Sequence, residues 1–426
     1  MKVAADCLTA NTRPQPPEEI FSRLTQTRVD FAIVLTQRLI QANSTVTGMK
    51  ELLKLTWAAI RALRGSFERA VPDADILYYR SLLKLLFLTI RIHAESKETP
   101  IAENLRVSKR IAETSTVGPV VMEIIHNVVA IGIREIVSVI HDSPTESSPE
   151  DFALITGILQ SCLRIPGIEL YQPQIVNALA QAAVPRLVVT LFSWSDSVAI
   201  DGDPIYGELS MLFLLELSSM PLMAEQLAID GVLGHLAAAN ITSYLRSGKI
   251  GPFAESAGLQ RCYSMWAKGI LPFLLNLLDA VQSSIAAEVS LFLAQFPNLV
   301  KQSEQSLDAP ETNRIIPKGT VRYITLTICS EAHSMALITF ILNSLSQRLN
   351  GTMDFPEVEW DAGGVLENVE FWLSSRPLLR ERLLPMGERE LELRRKGGPA
   401  VSDLEKKVLS ELEGIKEVLN GGENGS

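Results

Sequence analysis

Catalysis, metal binding and cofactor binding each need particular side chains at particular spacings. The five histidines, His93, His126, His141, His235 and His333, stand in no HExxH or HxH pattern and beside no cysteine at ligand spacing. Scattered imidazoles of this kind are structural or surface groups, and His126, on an apolar run, is expected to be a core histidine hydrogen-bonded to a neighbour. The loop holding Asp196, Asp201 and Asp203 with Gly202 has the residue types of a cation site. It lacks the ligand order of a calcium loop and its closing bidentate glutamate, so helix capping accounts for it better. No GxGxxG, GxxxxGK[ST] or GxSxG occurs, which removes the phosphate cradle and the nucleophile elbow. The expectation is a protein with no catalytic residues, no metal and no cofactor.

Other reactive or sticky residues lead the same way. Cys7, Cys162, Cys262 and Cys329 are far apart, form no CxxC and sit mostly in apolar runs, as reduced buried thiols do. That favours a cytosolic or nuclear compartment. A formal net charge of −10 would repel a phosphate backbone, so no direct nucleic-acid partner is expected. Tyr78-Tyr79, Phe371-Trp372 and Trp360 could dock short apolar peptides, although aromatic residues at helical spacing are more often core. Ser143-Pro144, Ser148-Pro149 and Thr99-Pro100 fall in expected loops and could accept phosphate, but such dipeptides are too common to define a site.

The elements that carry these residues are helices. With 426 residues the chain exceeds what one compact core usually fills, so several domains or a repeat array are expected. Hydrophobic residues make up 47% and aromatic residues only 6%, which suits helices packed through aliphatic side chains. Apolar residues recur with the helical period almost everywhere, and strict alternation is nowhere sustained. Phe31, Val34, Leu35, Arg38 and Leu39 mark one helix, Leu52, Leu55, Ile60 and Leu63 a second, and Ile76 to His93 a third. Short polar or Pro/Gly breaks separate them, at 71–75, 141–151, 164–174 and 199–204.

Regular helix and break invites a search for repeats. AVPRLVVTLF (183–192), GVLGHLAAAN (231–240) and GILPFLLNLL (269–278) share a small residue, two aliphatics, a turn-tolerant residue and a leucine-rich helix. GELSMLFLLEL (207–217) likewise matches AEVSLFLAQF (287–296), with Glu208 over Glu288 and Ser210 over Ser290. A period near 40 residues built from helix pairs is what armadillo and HEAT arrays display. Within it, Glu208 to Ser219 reads as a buried helix closed by Met220-Pro221, Leu222 to Ile229 as a short one, and Asp230-Gly231 as a sharp bend. The fold expected is all-α: a right-handed α-solenoid superhelix of armadillo/HEAT-like repeats.

The solenoid is expected to occupy 1–395, and 396–426 to hold a hinge, an amphipathic helix and a mobile tail. Gly397-Gly398-Pro399 is the hinge, and Leu404, Val408, Leu412, Ile415 and Leu419 form one apolar stripe of the helix beyond it. Leu404, Val408, Leu412 and Ile415 are the candidate partner-binding residues; their helix either folds back onto the array or extends to another chain. Met1 to Ala10 has no apolar stretch of signal-peptide length. The best membrane candidate, Gly118 to Ile140, carries Glu123, His126, Asn127, Arg134 and Glu135 and reads instead as a helix buried on most faces, so no transmembrane segment is expected.

The leucine-rich acidic chain, with its armadillo-like units at 207–240 and 269–300 (GILPFLLNLLDAVQSSIAAEVSLFLAQFPNLVK), resembles the C-terminal part of the large α-solenoid scaffold nucleoporins of the inner ring of the nuclear pore complex. Its texture is closer to the smaller of the two related large members, and fungal. The resemblance implies a structural component at the nuclear envelope that supports nucleocytoplasmic transport of protein and mRNA. It implies other nucleoporins as partners, including the linker nucleoporin of the inner ring, and phenylalanine-glycine repeats for some members. It carries over no individual binding residue. It also implies a fragment of a longer protein, which the Pro-rich polar stretch 11–19 fits. The competing readings are a soluble armadillo/HEAT adaptor, such as a nuclear transport receptor or a vesicle-tethering subunit, and an enzyme with a helical regulatory array. The five tryptophans lack the regular asparagines of a transport-receptor ladder, and only the last helix has the heptads of a tether.

Overall fold

A computed structural model describes residues 2–9, 17–41, 49–63, 76–95, 117–144, 147–247, 249–309, 323–348, 356, 358–397 and 401–423. Among these residues the secondary structure is helical, with three isolated bridges and no strand. Two compact units, Met1–Val188 and Val189–Ser426, divide the chain within the helix Val184–Ser193.

In the first unit the helices Lys2–Thr9, Glu18–Gln41, Met49–Leu63 and Ile76–Glu95 pack side by side. Glu18–Gln41 buries Val29, Ala32 and Thr36. Phe31 and Val34, on the stripe that marks this helix in the sequence, are instead 51% and 49% exposed. The helix has two apolar faces, and periodicity alone does not say which is inside. Pro149–Leu163 packs on Ile76–Glu95 and buries Phe152, Ile155 and Leu159. Arg80 forks onto the buried Asp151 carboxylate with three hydrogen bonds of 2.7 to 3.0 Å, a bidentate geometry that offsets much of the cost of burying the charge.

The apolar run at Gly118 to Ile140 is a helix interrupted by a π turn. Residues 117–124 are α-helical, Ile125–Ala130 forms the wide turn and Ile131–Asp142 resumes. Ile125, Val128 and Val129 are buried, while His126 and Asn127 face solvent. His126 is therefore a surface residue and not a core histidine: the face opposite the buried aliphatics is open. Glu123 accepts hydrogen bonds from Trp57 Nε1 (2.8 Å) and Arg61 (3.2 Å), so the charges of this helix serve packing at its rim.

In the second unit Ile205–Ser218 is closed by Met220, whose extended backbone precedes Pro221; Pro221–Ile229 follows, and the two helices are bent by 118°. Gly231, at φ 68°, then enters Val232–Ala238 from the left-handed region that glycine tolerates. Ala183, at φ 54°, enters Val184–Ser193 in the same way, so these two repeat copies share a backbone device as well as a pattern. The third copy differs. Gly269 lies inside a second π turn, Met265–Ile270, within a helix running from Ala257–Ser264 to Leu271–Val281. A Cβ there would stand 2.5 Å from Met211, so glycine is required by the close crossing of this helix over Ile205–Ser218.

The loop 199–204 also departs from expectation. Asp203 does not cap the next helix, whose N-terminus has no side-chain cap. A tight turn at Asp201 (φ 51°) and Gly202 (φ 77°) presents the Asp203 carboxylate to Arg261, which also binds Glu208. Capping does occur elsewhere, from Ser256 to the Leu259 N–H (3.2 Å) and from Asp361 to the Gly364 N–H (3.0 Å).

Leu326–Arg348 is the one described helix long and apolar enough, by length and composition, to cross a membrane. The sequence reading looked to 118–140 instead. Here Leu326–Arg348 is a core helix, packed against Leu271–Val281, Pro297–Gln305 and Asp403–Glu423. It buries Glu331 and pairs His333 with Glu411, both poorly suited to lipid. Ala362–Ser374 and the short Arg376–Arg382 complete this core through Trp372, whose Nε1 donates to the Leu307 carbonyl at 2.7 Å.

Gly269→Ala should destabilise the second unit by about 1–3 kcal/mol despite alanine's better helix propensity, because the new methyl has no room at Met211. Urea denaturation of the variant against the parent measures it.

Candidate interaction site

The residues singled out for chemistry do not converge. Among the described residues no group of three or more His, Cys, Asp or Glu could hold a metal ion. His126, His141 and His235 are exposed. Cys162, Cys262 and Cys329 are buried free thiols; burial pushes the Cys162 thiol up to about 12 and the Cys262 thiol up to about 11, which leaves them unreactive. The aromatic candidates are structural. Tyr79 and Trp372 are buried, Trp360 Nε1 donates to Ser303 at 3.1 Å, and Phe371 meets Trp372 edge to face at 5.6 Å. Thr99-Pro100 lies outside the described residues.

Leu404, Val408, Leu412 and Ile415 are each 0% exposed. They form one core with Ile328, Ala332, Val365 and Trp372. The final helix Asp403–Glu423 thus takes the first of its two options and folds back. In this state its stripe is closed to a partner, because the chain's own Leu326–Arg348 and Ala362–Ser374 already cover it. Arg380 anchors the start of the helix by two 2.9 Å bonds to the buried Glu405, and Ser402 caps it at the Glu405 N–H (3.2 Å).

At the centre of the second unit the Glu331 carboxyl is fully buried between two aromatic donors, Tyr263 Oη–H and Trp266 Nε1–H, the latter at 2.9 Å. Desolvation pushes its pKa up to about 7, against the opposing effect of the two hydrogen bonds. Tyr263 is pushed well up by burial and by the neighbouring carboxyl. This cluster ties the helix around the second π turn to Leu326–Arg348. Its seclusion from solvent makes it a structural strut and not a reaction centre.

The second unit carries an open groove of about 720 Å³ lined by Lys249, Ile250, Phe253, Gln302, Gln305, Tyr323, Ile328 and Leu384, among others. Its walls are fixed locally. Ile324 exchanges backbone hydrogen bonds with Arg382 (3.0 Å) and Leu384 (2.9 Å), which sets Tyr323 beside Leu384. Ile250 is buried and anchors the loop that presents Phe253. Phe253 and Tyr323, 49% and 43% exposed, meet edge to face at 6.3 Å. Gln302 and Gln305, three apart on Pro297–Gln305, add amides, and Lys249 is the charged group of the lining. Apolar walls with a few convergent polar groups have the composition of a binding surface. Sequence reading missed this groove, since its residues come from four separated segments, each unremarkable alone.

The fold defines a class: all-α, helical-repeat solenoid proteins. The chain belongs to the family described as nuclear pore protein NUP188, C-terminal domain, whose model matches residues 52–419. It is 40% identical to nucleoporin NUP188 of Chaetomium thermophilum, in an alignment spanning all of this chain and 24% of that protein. Nucleoporin nup184 of Schizosaccharomyces pombe is 26% identical over 61% of this chain and 15% of its own length. A solved structure, Nup188(aa1445-1827) from Myceliophthora thermophila, superposes with a TM-score of 0.72 and 42% identity, covering 88% of this chain and all of that one. The chain spans about a quarter of the length of the first of these relatives. The family is one of structural proteins and not of enzymes.

Two variants test the internal struts. Leu412→Ala should cost about 2–5 kcal/mol in urea unfolding, as truncation in a closed core does. The raised Glu331 pKa means the folded state holds its proton more tightly than the unfolded state. Its contribution should be most favourable below pH 4.5 and decline as pH rises towards 7, by on the order of 3 kcal/mol. Glu331→Gln should flatten the stability–pH curve across that window relative to the parent.

Proposed function

We propose that this chain is a scaffold component of the nuclear pore complex at the nuclear envelope, holding other nucleoporins through helical-repeat surfaces and so supporting nucleocytoplasmic transport. The observation that carries the reading is the family match across residues 52–419, on a chain whose accessible surface offers a binding groove and whose polar clusters are buried struts. The partners of this reading are other nucleoporins, the inner-ring linker nucleoporin among them, with phenylalanine-glycine repeats as a further class. A helical array suits the role because it distributes binding over many contacts along its surface. The Phe253–Tyr323 groove is the surface assigned to such a contact in the second unit.

Affinity capture of the endogenous protein followed by mass spectrometry should recover inner-ring nucleoporins; recovery of tethering or enzymatic complexes in their place would reject the reading. Phe253→Asp combined with Tyr323→Asp should leave the fold intact, since both rings are nearly half exposed, and should reduce recovery of at least one nucleoporin severalfold. Unchanged recovery would remove the groove from the binding surface.

A further inference from the structure

Both Ser-Pro dipeptides of the sequence fall between two helices of the first unit: Ser143-Pro144 follows Ile131–Asp142, and Ser148-Pro149 opens Pro149–Leu163. The dipeptide alone is too common to define a site; its backbone and its free hydroxyls distinguish it here. Each proline holds the serine before it out of the helical region, with Ser143 at φ −147°, ψ 77° and Ser148 at φ −111°, ψ 115°. Both serines are partly exposed, and neither hydroxyl has a hydrogen-bond partner among the described residues. Ser147, between them, donates its hydroxyl to the Pro144 carbonyl at 2.6 Å. Ser148 also stands at an N-cap position without capping. Asp151, which would answer it in a capping box, is held by Arg80 instead.

We propose that Ser143 and Ser148 are phosphate acceptors for a proline-directed protein kinase, and that the two phosphates act oppositely on the helices they adjoin. Such a kinase takes its acceptor serine in an extended chain with proline next to it, which is the backbone both residues already hold. Glu146 and Asp151 stand three residues beyond the two serines, so the enzyme is one that needs no basic residue there. The serine Oγ attacks the γ-phosphorus of a magnesium-bound nucleoside triphosphate and the bond from that phosphorus to the bridging oxygen breaks. The diphosphate leaves, and the hydroxyl proton passes to a carboxylate of the kinase. A phosphate on Ser148 meets the positive end of Pro149–Leu163 and the first-turn N–H groups that no side chain caps. A phosphate on Ser143 meets the negative end of Ile131–Asp142, beside the Asp142 carboxylate. It weakens the last turn, which the Ser143 N–H closes on the Val139 carbonyl at 2.8 Å. The two helices pack on each other, so the charge on this linker bears on one corner of the first unit.

The test incubates the chain with a proline-directed kinase of the mitogen-activated class and MgATP, and locates phosphate by peptide mapping. Ser143 and Ser148 should both be labelled, at rates within about tenfold of those in a synthetic peptide of residues 138–153, because the acceptors are presented without unfolding of either helix. Labelling of the peptide with none in the folded chain would overturn the proposal, as would labelling of Ser147 alone. Ser143→Ala isolates the phosphate on Ser148, which should raise the melting temperature at low salt by about 1–3 °C; Ser148→Ala isolates that on Ser143, which should lower it by about as much. Shifts of the same sign in both variants would overturn the opposed action. Phosphopeptide mapping of the affinity-captured endogenous protein should find phosphate on one or both serines; phosphate on neither, in dividing and in stationary cultures, would sink the assignment.

Discussion

A helix whose apolar residues run all the way round cannot be finished by one neighbour. Ile205–Ser218 buries Tyr206, Met211, Phe213, Leu214 and Leu217, which leave the helix in several directions. Leu326–Arg348 is in the same position, with most of its turns inside. Such helices force their partners to be helices too, because each must be wrapped on several sides by surfaces of similar curvature. From that requirement come the short breaks and the sharp bends.

Where aliphatic packing leaves a polar group inside, hydrogen bonds close the gap. Arg80 with Asp151, Arg261 with Asp203 and Glu208, and Arg380 with Glu405 are ionic versions; Glu331 with Tyr263 and Trp266 is the uncharged-donor version. Each joins helices distant in sequence within one unit. In a protein of another kind, a buried carboxyl with a pKa near 7 would suggest a proton-transfer residue. Here nothing reaches it from solvent. The same physics that tunes a catalytic acid serves to fix the register of two helices.

Much of this was legible in the chain. Pro221 and Gly231 announced their helix end and bend because each acts through its own backbone, independently of the rest of the fold. The family resemblance rested on the same periodic signals and agrees with the family match. The exposed face of His126 and the two π turns were not legible, since a single extra residue per turn rephases a helix without changing its composition. The inside face of Glu18–Gln41 was ambiguous for a physical reason: both faces are apolar, and only a neighbour decides between them. The groove was invisible because Phe253, Gln302, Tyr323 and Leu384 meet only after folding, whereas folding back was one of the two options that the stripe of the final helix left open.

The glycine at 269 seats its bare backbone directly on the Met211 side chain, contributing no side chain of its own between the two helices at that point. A backbone seated on the first atoms of a facing side chain leaves only a thin layer to shear, so the crossing should behave as a stiff node when the molecule is pulled or bent. Compliance would then reside in the corners at 219–220 and 230–231, where single residues carry the change of direction. A structural member built this way yields at its elbows while its crossings hold.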